Sequence, residues 1–322
     1  MSRITRRDAL ERLGKAAAVL GGSAAVGAAV WDRGGIGLYE SAQGLQTRDF
    51  RLRDKGERPD LAIAKSGTDP AALTRAAVDA LGGMARFISR GDVVTIKPNI
   101  GWDRTPVHAA NTNPLVVAEV VRLVFDAGAK HVVVTDASCN EPNRCFQRSG
   151  IWKAAYDMGA DVVIPAEHRF RGMRLGGEVL DEWPVYRPMV DADKVINVPV
   201  AKHHNLAKFT AAMKNWYGLL GGRRNRLHQN IDVSIADLAT FLQPTLTIVD
   251  ATRVLLRNGP QGGNIADAKE MHTVVASVDQ VAADAYCCQL IGVSRDELPY
   301  VKMGHERGRG TMFWENLRHV EV

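Results

Sequence analysis

After Val30 no apolar run in the 322-residue chain approaches bilayer length, which excludes a polytopic membrane protein. Neither sign of charge dominates. The 41 Lys and Arg residues against 36 Asp and Glu leave a net +5. Residues 1–31 carry +3 of that, with Arg3, Arg6, Arg7, Arg12 and Lys15 against Asp8 and Glu11. The rest of the chain therefore has no concentrated basic face, and no nucleic-acid partner is expected. Cysteine is sparse, with four residues and no C-x-x-C, so neither a zinc nor an iron–sulfur site can be recognised. No Walker loop, no G-x-G-x-x-G after a strand and no G-x-S-x-G elbow occurs, which leaves those nucleotide and hydrolase routes unsupported. There is no internal repeat. A composition of 46% hydrophobic and 24% charged residues excludes disordered, collagen-like and coiled-coil chains.

The first 31 residues are different in kind. Paired Arg6-Arg7, an apolar Leu10 and a soft Ala/Gly/Val run from Ala16 to Val30 read as a twin-arginine-type export signal, with Val26-Gly27-Ala28 as a cleavage site. Gly21, Gly22 and Gly27 argue against an ordinary amphipathic helix there. A periplasmic or otherwise exported location is expected, with the twin-arginine machinery as a partner and membrane contact only through an uncleaved leader. Residues 32–58, rich in Gly, Arg and Asp, read as a tether. Cys139 and Cys145 are close enough in sequence to pair, whereas Cys287 and Cys288 read as buried thiols.

Residues 59–322 alternate short β-rich runs with helical ones. Strands are expected at 61–64, 92–97, 131–135, 161–164, 194–198, 246–249 and 273–276. Helices are expected from Asp69-Pro70 to Gly82, from Asn113-Pro114 to Gly128, and over 151–158, 207–220, 231–242 and 281–291. The pattern predicts an α/β fold with a mostly parallel sheet and helices on both faces. Ligands in such folds sit beyond the carboxyl ends of the strands.

That rule sorts the polar residues. The densest cluster follows the 194–198 strand: Lys202, His203, His204, Lys208, Thr210, Lys214 and Asn215. If a helix already includes His204, then His204, Lys208 and Asn215 share one of its faces; the histidines could instead lie in the loop before it. Lys97 and Asn99 end the second strand, where a lysine can hold a phosphate or carboxylate as a point charge. A polar loop with His108, Asn111 and Thr112 leads on to a helix start. Asp136 and Asp250 each end a β-rich run and are candidates for acid–base work, alongside Lys214. Gly221 to His228 form a basic, glycine-led loop suited to anions, and His228 could join His204 as a metal ligand. Asn258 to Gly263 could close over a ligand.

Ile96-Lys97-Pro98-Asn99, Thr112-Asn113-Pro114, Asn197-Val198-Pro199 and Met213-Lys214-Asn215 with Tyr217-Gly218 occur in that order. Asn258-Gly259-Pro260 with Gly262 and Asp279-Gln280-Val281-Ala282 with Asp284 complete the set. Together they resemble the domain-of-unknown-function family 362 over roughly residues 92–292. Some members of that family carry ferredoxin-like cysteine clusters; this chain has none, so an iron–sulfur cofactor is not expected. His204, Lys214 and His228 also follow the order of residues in the nickel-dependent lactate racemase family, without the glycines that surround that family's lysine. That resemblance implies a location for the site.

The expected function is an exported enzyme of unspecified reaction that binds an anionic small molecule, with a metal or organic cofactor as an option. Lys97, Asn99, His203, His204, Lys208 and Asn215 are the expected ligand contacts. The alternatives are a non-catalytic periplasmic binding or accessory protein and an electron-transfer protein, the last requiring a chromophore that four scattered cysteines do not obviously hold.

Overall fold

The structure is a computed structural model that describes residues 6–29, 47–52 and 56–322. The proposed start of the leader and most of the proposed tether, residues 1–5, 30–46 and 53–55, lie outside the described residues. Helix α1 (Arg6–Ala29) runs through Gly21, Gly22 and Gly27. Its Leu10, Leu13, Val19 and Leu20 are exposed. Among the described residues no helix is long and apolar enough to cross a membrane.

The large sheet is laid out as β12 (His319–Glu321), β1 (Leu61–Ala64), β11 (Ala268–Ser277), β10 (Leu246–Leu255), β7 (Lys194–Val198), β2 (Val93–Pro98), β3 (His131–Val134) and β4 (Asp161–Val162). The run β10-β7-β2-β3-β4 is parallel throughout. Strand β11 is antiparallel to both neighbours. A hairpin of β8 (Val200–His204) and β9 (Lys208–Thr210) branches off the far end of β10. A separate antiparallel pair, β5 (Phe170–Arg174) and β6 (Glu182–Tyr186), stands beside the sheet. The mostly parallel α/β architecture is therefore present.

Alternation along the strands divides the core, because successive side chains point to opposite faces. Ala62, Ala64, Ile248, Val274 and Ala276 face one layer with Ile96, Val134 and Ile196. There they meet α2 (Pro70–Ala80) and α3 (Pro114–Asp126) through Leu73, Ala77, Val116 and Val120. Leu61, Ile63, Val249 and Val275 face the other layer, built from α6 (Ile231–Phe241), α7 (Gln280–Cys287) and α8 (Pro299–Glu306). Helix starts follow the capping logic. Asp69 accepts Ala71 and Ala72 N–H, Asn113 accepts Leu115 N–H, and Asp279 accepts Val281 and Ala282 N–H. The short α4 (Pro142–Arg148) precedes α5 (Ile151–Asp157).

Two expectations change. The 207–220 segment is not a helix. It is β9 followed by a turn and a 3-10 stretch over Lys214–Leu219. His204, Lys208 and Asn215 thus share no helix face. Within the span read as a tether, Phe50 is buried and Arg48 pairs with Asp193 at 2.8 Å, so residues 47–52 pack against the sheet domain.

Leu73→Ala is expected to lower unfolding free energy by about 2–5 kcal/mol through the cavity left between α2 and the sheet, read from urea denaturation.

Candidate functional site

The site begins where three adjacent parallel strands end. Lys97, the last residue but one of β2, lies level with Asn197 of β7, and Asp136 follows two residues after β3. Since Ile96 and Ile196 face the α2–α3 layer, alternation sends Lys97 and Asn197 to the opposite side. Lys97 Nζ lies 2.7 Å from Asp136 Oδ1, with both side chains essentially out of solvent. Lys97 also donates to the Pro98 carbonyl at 3.0 Å, and Asp136 Oδ2 accepts Ile100 N–H at 2.7 Å. Burial pushes the Lys97 ammonium below its ordinary pKa, and Asp136 opposes that shift. Gly218 lies directly over the pair. A Cβ there would fall 1.8 Å from Asp136 Oδ1 and 2.9 Å from Lys97 Nζ.

A row of amides continues from the neighbouring lysine. Lys202 donates to Asn99 Oδ1 at 2.9 Å, Asn99 Nδ2 to Asn215 Oδ1 at 3.0 Å, and Asn215 Nδ2 to Asn197 Oδ1 at 2.8 Å. Asn197 Nδ2 ends the row on the Ala212 carbonyl at 2.9 Å. An ammonium can only donate, so each amide's orientation follows from the one before it.

These groups back a cavity of about 490 Å³ whose wall includes Asn99, Asp136, Cys139, Lys202, His204 and Lys214, with Asn215, Tyr217, Arg224 and His228. Burial drives Lys202 down to about 7, and the Lys214 and Lys97 charges reinforce this while Cys139 and Asp136 oppose it. Burial takes Lys214 down to about 8, with Arg224 in the same sense and Cys139 against it. Lys202 also donates to the Ala110 carbonyl. Arg224 spends its guanidinium on carbonyls, Ala137 O at 2.6 Å and Ser138 O, and on no carboxylate among the described residues. Lys214 is 8% exposed, and its Nζ stands 3.9 Å over the Tyr217 ring. Among the described residues no hydrogen-bond acceptor or carboxylate meets it.

The two wall histidines are in complementary tautomers. His204 Nδ1 accepts Leu206 and Ala207 N–H, each at 3.2 Å, which places its proton on Nε2. Burial, then the Lys214 and Lys202 charges, push its pKa down to about 2, so the ring stays neutral. His228 Nδ1 lies 3.1 Å from the Asn225 carbonyl and must donate, leaving Nε2 bare. The rings stack at 6.2 Å. Among the described residues no group of three His, Cys, Asp or Glu side chains converges. The donor set around His204 and His228 therefore does not fit a protein-held metal.

The structure brings Asn99, Asp136, His204, Lys214, Asn215 and His228 together at one cavity. Lys97 sits behind the wall with its charge taken by Asp136, so it does not present an ammonium to a ligand. His203 points off the cavity, its Nδ1 accepting Gly259 N–H at 3.2 Å. Lys208 is exposed and pairs with Glu297 at 2.9 Å. Asp250 is buried elsewhere, its oxygens taken by Asn113 N–H at 2.7 Å and by Thr252 N–H and hydroxyl at 2.9 and 2.7 Å. It braces the start of α3. All four cysteines are free, with Cys139 exposed and Cys145 buried. Sequence reasoning placed Lys202 in the strand-end cluster, Arg224 in the basic loop and Tyr217 in the family motif, but named none of them as a ligand contact. The signal for Lys202 was period-two alternation, which puts Lys202 and His204 on one face of β8 and His203 on the other. A more open hollow of about 720 Å³ at the sheet edge contains Lys65, already paired with Glu321 at 3.0 Å.

A sequence profile of the family described as "Domain of unknown function (DUF362)" matches residues 94–289. A thylakoid-associated protein of Synechocystis is 26% identical over 238 residues, covering 71% of this chain and 72% of that protein. Among solved structures, a Thermotoga maritima protein aligns with a TM-score of 0.40 at 10% identity, over 70% of this chain and 60% of that one. The lactate racemase apoprotein of Thermoanaerobacterium thermosaccharolyticum aligns with a TM-score of 0.39 at 12% identity, over 78% and 61%. The chain thus spans about three-fifths of the length of these solved structures.

Asp136→Asn, which leaves the Lys97 ammonium buried without its carboxylate, is expected to lower unfolding free energy by about 3–5 kcal/mol. Gly218→Ala is expected to destabilise in the same direction by forcing the pair apart, and denaturant titration of both variants measures it.

Proposed function

The chain belongs to the DUF362 family, and from that premise we propose that its strand-end cavity binds a small organic anion as part of an exported enzyme. The observation that carries this reading is Lys214, a nearly buried ammonium on the cavity wall with a π face beneath it and, among the described residues, no anion opposite. Lys202 and Arg224 share that wall. The wall's carboxylate, Asp136, is already engaged by Lys97. Buried charge without a partner is costly, and a bound carboxylate or phosphate relieves that cost.

An enzyme is favoured over a passive binding protein by lysines whose pKa values fall near neutrality, where an amine can exchange a proton at working pH. Acid–base roles fall to Lys214 and Lys202. Asp136 holds Lys97 and the Ile100 backbone in place. The iron–sulfur and metal options contribute no step here.

The export signal remains part of the proposal. Supporting it are the paired Arg6-Arg7 and exposed apolar side chains along α1, together with a relative named for its association with thylakoids. Replacing Arg6 and Arg7 together by Lys is expected to leave the protein in the cytoplasm when cells are fractionated, and unchanged export would remove the twin-arginine reading.

Calorimetric titration with small carboxylates and with phosphate tests the pocket. Lys214→Met is expected to weaken the bound anion roughly 10- to 100-fold, the worth of a charged hydrogen bond, with little change in melting temperature. Lys202 and Lys214 carry charge below about 7 and about 8 and lose it above. The anion, ionised throughout, should therefore bind progressively more weakly from about pH 6 to about pH 9. Affinity that is flat with pH would show that neither lysine carries the binding.

A further inference from the structure

We propose that Lys214 is a covalent nucleophile that forms an imine with a small carbonyl compound bearing a carboxylate. The inference rests on the anion-binding reading above and adds a substrate class to it.

Three buried lysines crowd the strand ends, and they differ in one respect. Lys97 is held as an ammonium by Asp136 at 2.7 Å. Lys202 is held by Asn99 Oδ1 and the Ala110 carbonyl. Each of those acceptors stabilises the protonated form. Lys214 has the Tyr217 ring under its Nζ, and among the described residues it is the one of the three whose nitrogen no oxygen acceptor already engages. A desolvated lysine near other cations is the arrangement that activates an amine toward carbonyl carbon. Those cations serve a second purpose. Lys202 and Arg224 on the same wall supply the positive charge that would hold a carboxylate beside the reacting carbonyl.

The step also needs a group to move protons, and His228 is placed for it. The His228 and Tyr217 rings lie with their centroids 5.5 Å apart at 70°, so His228 and Lys214 both contact one aromatic side chain. Because Nδ1 is committed to Asn225 O, Nε2 is the basic nitrogen. His204, with its proton on Nε2, offers the complementary donor to a carbonyl oxygen. The lone pair of Lys214 Nζ forms the new C–N bond as the carbonyl oxygen takes a proton. The amine's own protons pass through His228 Nε2 to that oxygen, which departs as water and leaves C=N. Amine plus carbonyl gives imine plus water, and nothing is oxidised or reduced.

The experiment uses the full chain with glyoxylate and cyanoborohydride, read by intact mass and peptide mapping. The expected result is a single reduced adduct on the peptide containing Lys214, suppressed by excess glycolate, which has the carboxylate but no carbonyl. Lys214→Arg should give no adduct on that peptide. The wild-type peptide map decides the question even if that variant fails to fold. An adduct spread over exposed lysines such as Lys208 and Lys302 at the same rate would overturn the proposal. Binding of both acids with no adduct removes the imine and leaves the anion pocket standing, whereas binding of neither removes both.

Discussion

Burying several ammonium groups around one carboxylate is the constraint to which the rest of this structure conforms. A cation taken out of water requires acceptors or a counter-charge. Lys97 receives Asp136, and the consequences spread outward. Asp136 uses its second oxygen on Ile100 N–H, fixing the loop after β2. The 3-10 stretch that passes over the pair does so at Gly218, where a side chain cannot fit. The carbonyl of that same glycine accepts Ala137 N–H at 3.0 Å, tying the loop after β3 to the stretch that carries Lys214. The electrostatic requirement of one lysine thus sets the relative position of three segments.

The amide row extends this arrangement across the sheet. Lys202, Asn99, Asn215, Asn197 and the Ala212 carbonyl lie on four different segments, and every bond in the row has a defined direction. Ala212 and Met213 donate their N–H groups to Asp284 of α7 at 2.6 and 3.0 Å. Burial pushes that carboxyl up to about 7. The turn presenting Lys214 and Asn215 is consequently clamped from both sides, by the amides of the strand ends and by a buried carboxyl from the helix layer. Among the described residues, Lys214 meets an aromatic face rather than an acceptor or a counter-charge.

Much of this was legible along the chain. The β-branched runs became β1, β2, β3, β7, β10 and β11, and the Asp-Pro and Asn-Pro pairs marked the starts of α2 and α3, because pattern and capping are local effects. The segment 207–220 failed for an equally definite reason. Its Ala-rich composition favours a helix, but side chains elsewhere take the N–H groups a helix would use. His204 captures Leu206 and Ala207, and Asp284 captures Ala212 and Met213. Lys208 adopts a left-handed φ of 59° that no helix contains. Tertiary partners therefore override propensity there.

The sequence by itself determined six strands of the large sheet, the starts of α2 and α3 and the family, since each rests on residues close together in the chain or in a recognisable order. Only the tertiary structure decided which cations are spent and which is not. Lys97, Lys202, Lys208 and Lys214 are alike in sequence. What distinguishes them is whether Asp136, Asn99, Glu297 or only an aromatic face lies within reach, and those partners come from positions far apart along the chain.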